Sequence, residues 1–253
     1  MNLFWTKKTQ SFLAIVFLIL TWTGCGGPQE TPHPDPRTLV IYLSPVVPDQ
    51  VEQELFACFS RLEGLLPSVY TDFSPYPDPS AADVFLWWGD PAHYRALQEA
   101  DKTVYQVGEL EVGVLTHPGN PLEMIAISEL RAVFSGTVTL WTDLTARPPE
   151  SEIEVWVLPG RHPIQEVFER AVMKGLPVTT TARIAPDLSG IHETALEQEG
   201  LIGLTILDAA PQGKILSIQP SPDDLRQPLL LILPDSAPDA YYPLVECLSS
   251  PEN

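Results

Sequence analysis

The residues of this chain that can do chemistry stand mostly where elements begin or end. Ser44 follows an apolar run and precedes a helix start, so its hydroxyl can serve a ligand or simply a turn. Trp87, Trp88 and Gly89 close a second apolar run, and paired indoles there can stack on an organic ligand or pack into a core. Asp83, just before them, can orient neighbouring groups or accept a hydrogen bond at a strand end. Thr116 and His117 end a further strand, where the alternative is a solvated turn. Arg161 and His162 open a helix; a guanidinium there can fork onto a carboxylate or oxyanion, or face solvent. Ser189-Gly190 precedes a helix and can lend N–H groups or cap it. All of this is capture chemistry. The chain has no Gly-x-Ser-x-Gly elbow, no Walker loop and no His-Glu-x-x-His, so no enzyme is expected. Its histidines lack His-x-x-x-His spacing and its cysteines lack Cys-x-x-Cys spacing, so no metal site and no cofactor is expected.

These residues need elements to hold them. Thr38 to Leu43 is a continuous apolar, β-branched run, which reads as a strand buried on both faces. Pro48-Asp49-Gln50 opens a helix with Val51, Leu55, Phe56, Phe59 and Leu62 spaced for one buried face. Strands are predicted over 68–73, 82–88, 104–107 and 112–115, with Gly108-Glu109 dividing the last two and a helix over 90–100. A helix capped by Ser128 runs to Phe134, and a brief strand covers 138–140. Strand 153–158, helix 164–174 with Gly175 as its left-handed end, helix 191–200 and strand 201–206 follow. Strands 214–218 and 229–233 and a last helix over 239–248 complete the chain. Strands alternating with helices imply a doubly wound α/β body with mostly parallel sheets.

The first 37 residues read differently. Lys7 and Lys8 precede an apolar run, Ser11 to Leu20, which at ten residues is half the length that a membrane-spanning helix needs (about 20) and fits a signal segment. Thr23-Gly24-Cys25 resembles the cleavage site of bacterial lipoproteins, with Trp22 where an aliphatic residue is usual. That resemblance implies a signal peptide over 1–24, lipidation of Cys25 and a membrane anchor. Residues 25–37 are rich in proline and glycine and form a tether. Roughly 215 residues remain, room for one large domain or two lobes of about 100 residues each. A hydrophobic share of 44% against 19% charged residues argues for a folded body. The net charge of −19 repels phosphate backbones, so no nucleic-acid partner is expected. Cys58 and Cys247, the cysteines besides Cys25, are a candidate disulfide in an exported chain, or else two buried thiols.

One block carries a family resemblance. Asn120-Pro121, Leu130, Phe134, Gly136 and Trp141-Thr-Asp-Leu144 match, in order and spacing, the pattern of the phosphate-binding periplasmic proteins. Ala82-Asp83-Val84 and Gly200-Leu-Ile-Gly203 are similar to two further strands of that family. The resemblance implies a type II periplasmic-binding fold: two α/β lobes joined by two crossover strands, closing over a ligand. It places lobe 1 at 38–115 and 206–253 and lobe 2 at 116–205, with Cys58 and Cys247 in the same lobe. The cleft would then draw on Ser44, Asp83, Trp87, Trp88, Gly89, Thr116, Arg161, His162 and Ser189. The chain carries Arg161-His162-Pro163-Ile164 where that family has a Ser-Gly-Thr turn, and a single hydroxyl in its first turn. The function implied is capture of a phosphate-like oxyanion or small organic acid for an ABC importer, by a monomer whose protein partner is the permease. The alternative is a degenerate binding fold acting as a sensor or interaction module.

Overall fold

The computed structural model describes residues 37–62, 64–71, 78, 80–90, 101–147, 149–209, 212–235 and 238–249. The leader, Cys25, most of the tether and the helix expected over 90–100, apart from Asp90, lie outside these residues. Arg37, assigned to the tether from sequence, opens the first strand.

The body is mixed α/β. Ten strands, β1 (Arg37–Leu43), β2 (Leu65–Thr71), β3 (Val84–Trp88), β4 (Lys102–Thr116), β5 (Met124–Ala126), β6 (Glu154–Val157), β7 (Arg183–Ile184), β8 (Leu201–Ile206), β9 (Lys214–Gln219) and β10 (Arg226–Pro234), form one sheet. The order is β2-β1-β3-β10-β4-β8-β6-β7, with β9 bonded to β4 and β5. The outer pairs β1–β2, β1–β3, β6–β7 and β6–β8 are parallel, whereas β10 runs antiparallel to β3 and β4, and β8 and β9 antiparallel to β4. Helices α1 (Asp49–Phe59), α2 (Ile127–Phe134), α3 (Pro163–Met173, its last five residues a π turn), α4 (Leu188–Glu197) and α5 (Pro238–Ser249) flank it.

β4 organises the molecule. A run of 15 residues spans roughly 50 Å, about three times an ordinary strand. Its first part, Lys102 to Glu111, pairs with β10, and its last, Val112 to Thr116, pairs with β8 and β9. The break expected at Gly108-Glu109 is a bulge instead: Gly108 opposes Leu229 and Gln106 opposes Leu230, leaving Val107 as the extra residue. The exchange of partners therefore falls inside β4, between Glu111 and Val112. β9 pairs with β5 and with the end of β4.

The apolar runs explain the burial. All of β3 and all of β8 are buried, as strands covered on both faces must be. Side chains alternate along β3: Val84, Leu86 and Trp88 enter the main core, while Phe85 and Trp87 join Tyr42, Ala82, Leu230 and Ile232 on the opposite face. Several expectations shift. α1 turns Leu55, Cys58 and Phe59 inward but leaves Phe56 partly exposed. α2 starts at Ile127, ahead of Ser128, where the Glu129 carboxylate accepts from the Ala126 N–H at 3.0 Å. α4 starts three residues before Ile191. The strand expected at 138–140 reduces to a single bridge, Leu140 to Glu152. Cys58 and Cys247 form a disulfide between α1 and α5, with Cα atoms 5.8 Å apart. Among the described residues no helix is long and apolar enough to cross a membrane.

Candidate functional site

A cavity of about 320 Å³ opens where β1 ends and α1 begins. One wall is the turn from Pro45 to Gln50; the facing wall is Asp187 to Ser189 with His192; Asp208 and Ala209 close the side. Local sequence makes both walls. After β1 the Ser44 N–H donates to the Leu86 carbonyl at 2.9 Å, and the Ser44 carbonyl accepts from the Val47 N–H at 3.0 Å, a tight turn. Pro48 then holds the extended backbone that precedes α1. On the other wall Asp187 is the N-cap of α4, its Oδ1 accepting from the Gly190 N–H at 2.9 Å. His192, one turn into α4, is held by a 2.8 Å hydrogen bond to the buried Thr205 hydroxyl.

Two helix N-termini thus meet at one cavity, the arrangement that ordinarily favours an anion. Here part of that capacity is spent. Pro45 and Pro48 carry no N–H, and the Asp187 carboxylate already accepts from α4. Asp49 and Asp208 add two more carboxylates, and the lining holds no Lys or Arg. Burial lowers the pKa of His192 despite Asp187, which acts the other way, so the imidazole is neutral at pH 7.

The residues singled out from sequence are distributed through the molecule. Ser189 lines this cavity. Ser44 is buried behind the turn, its hydroxyl without a partner among the described residues. Asp83 stands at the opposite end of β3, where its Oδ2 accepts from the Val40 N–H at 2.9 Å; it braces β1 and lies 3.9 Å from Arg37. Trp87 and Trp88 are buried in the core, with both faces of β3 covered. Gly89, with φ 141°, donates its N–H to the Pro228 carbonyl, and a Cβ there would press on the Trp87 ring at 3.1 Å. Thr116 is fully buried, its hydroxyl 3.3 Å from the Lys214 carbonyl. Arg161 is exposed and outside the lining. Asp49, Asp187 and Asp208 line the cavity and are not among the residues singled out from sequence. Asp187 carries a readable signal, an N-cap Asp three residues before Gly190, which places the start of α4 ahead of Ile191.

His162 has a structural role with a measurable consequence. It is buried at the N-cap of α3, where Nδ1 accepts from the Ile164 N–H at 3.3 Å. Burial pushes its pKa down to about 4, against a smaller upward pull from Asp187. The folded state therefore refuses a proton that the unfolded chain takes up at about pH 6.5. The stability involved is complete above that pH and is lost as pH falls toward 4, by about 3 kcal/mol. Urea unfolding at pH 7 and pH 4.5 is expected to show this loss, and His162→Asn, which keeps a capping acceptor, should reduce it. An identical acid limb in the variant would remove His162 as the cause.

No protein-family model matches the chain, and no curated protein matches it by sequence. Solved structures do match. A protein from Clostridium perfringens, named as a phosphate ABC transporter substrate-binding protein and solved with phosphate, shares 12% identity at a TM-score of 0.69, over 85% of this chain and 94% of its own. An ABC-type phosphate transport receptor from Vibrio cholerae shares 14% identity at 0.61, over 84% and 94%. The reduced OxyR regulatory domain from Pseudomonas aeruginosa shares 12% at 0.59, over 84% and 97%. The fold is therefore that of the periplasmic binding proteins.

Proposed function

We propose that this chain is a membrane-tethered, extracytoplasmic solute-binding protein that hands a small ligand to an ABC-type importer without covalent chemistry. The observation that carries this reading is the cavity between the Pro45–Gln50 and Asp187–His192 walls, at the end of β1 and at two helix N-termini. The N-terminal sequence supports tethering through Cys25, and the binding proteins that share the fold support transport. We place the lobe boundary inside β4, between Glu111 and Val112, with the return between Gln219 and Arg226, because the strand partners change there. The oxyanion implied by the family resemblance is the less suited occupant, since carboxylates and prolines line the cavity and no cation does.

A thermal-shift screen of a broad solute panel tests the reading. Phosphate and sulfate are expected to leave the melting temperature unchanged. An organic solute at 100 times its dissociation constant should add about 2.7 kcal/mol. A panel in which nothing stabilises the protein would end the transport reading. The second reading, a sensor or interaction module, draws on the OxyR regulatory domain having the same fold. Crosslinking in membranes separates the two: a permease as the captured neighbour supports transport, a signalling protein supports sensing.

A further inference from the structure

The acidic cavity does not end at its own walls. A second cavity of about 320 Å³ adjoins it, sharing Pro48, Gln50 and Asp208. Its character is different. Val51 of α1, Leu86 of β3, Val107 and Leu110 of β4, Leu229 of β10 and Leu248 of α5 supply apolar walls. The β4 bulge contributes to it, since Val107 is the residue left out of the pairing with β10, and Gly108 beside it adds no side chain. Glu54 and Glu109 stand at its margin with Asp208, and this lining too holds no Lys or Arg.

Size and charge together limit the occupant. Each chamber reaches the lower end of the range for organic-ligand sites, roughly 300–1,000 Å³, far more than a tetrahedral oxyanion fills. An anion would meet carboxylates on both sides of Asp208 with no Lys or Arg in either lining; Arg226, which lies near enough to feel Asp208 and Glu109, is paired with Glu111. An uncharged apolar molecule would suit one chamber and leave the other filled only with water. An ammonium group fits the acidic chamber, where Asp49, Asp187 and Asp208 can accept its N–H bonds, while an apolar body fits the leucine-lined one.

We propose that the two cavities form one bipartite site for an amphipathic organic cation, a protonated amine carried on an apolar or aromatic body. This inference rests on the solute-capture reading and gives its substrate class. Three probes with the same indole body isolate the charge: tryptamine (cationic), tryptophol (neutral) and indole-3-acetate (anionic). Each is titrated calorimetrically into the full chain in zwitterionic lipid nanodiscs, with empty nanodiscs as the blank. Tryptamine is expected to bind on the order of tenfold or more tightly than indole-3-acetate, and Asp208→Asn to remove most of that preference. Asp208 is exposed, so its replacement should leave the fold intact, which the urea midpoint verifies. Indole-3-acetate or tryptophol binding as tightly as tryptamine would overturn the cation assignment and leave solute capture standing. An undiminished preference in the Asp208→Asn protein would overturn the site. Silence from all three probes would overturn the assignment too, and solute capture would fall only if the broad panel were also silent.

Discussion

Replacing Trp88 by alanine is expected to cost the fold about 3–5 kcal/mol. β3 is buried along its whole length, and Trp88 faces the main core with 1% of its surface exposed. Its indole Nε1–H donates to the Leu110 carbonyl at 3.2 Å, tying β3 to the middle of β4, where strand partners change. Alanine would leave a cavity the size of an indole and deprive a buried carbonyl of its donor, and both effects destabilise. Urea unfolding reads the result as a lower midpoint at unchanged slope. Phenylalanine should recover much of the packing without the hydrogen bond, placing Trp88→Phe between alanine and the parent. The same measurement separates a core residue from a ligand platform. A platform indole would be exposed in the free protein, so its loss would abolish binding while stability stayed within about 0.5 kcal/mol.

Removing the Cys58–Cys247 disulfide, by Cys58→Ala with Cys247→Ala, is expected to lower stability by about 2–5 kcal/mol. The bond joins α1 near the start of the folded body to α5 at its end, across a sequence separation of 189 residues. Nearly all of the fold lies inside the closed loop, so the unfolded chain loses much of its freedom when the bond is present. α1 and α5 also pack on each other, which keeps the two sites aligned without the bond. The double-alanine protein should therefore fold to the same structure with a lower urea midpoint, and dithiothreitol should shift the parent to match it. A loss below about 1 kcal/mol would mean that packing of α1 on α5 already restricts the unfolded chain. A bond of this kind persists outside a reducing cytosol, in keeping with the extracytoplasmic location we propose.

How much could be read beforehand depended on whether a property is local. The runs Thr38 to Leu43 and Leu201 to Ile206 announced buried strands, because apolar and β-branched residues in sequence admit few other placements. Gly108 signalled an irregularity in β4, but a bulge and a break leave the same trace in sequence. Whether pairing continues depends on β10, which comes more than a hundred residues later. Sequence leaves the indoles of Trp87 and Trp88 open between a ligand platform and core packing for a similar reason. A strand end shows its chemistry, while β10 and the α/β layers that cover it are remote in sequence.

Sequence alone determined the α/β order of elements, the acidic balance and the candidate cysteine pair, all set by local periodicity or composition. Tertiary structure decided which groups share a cavity. Asp49, Asp187 and Asp208 are unremarkable carboxylates until one turn, one helix cap and one strand exit bring them to the same opening. Charge acts through space, so the sign of a cleft depends on contacts between distant segments. That is why a resemblance carried by packing residues such as Phe134 and Trp141 located the fold, while the chemistry of the cleft appeared only once the chain was folded.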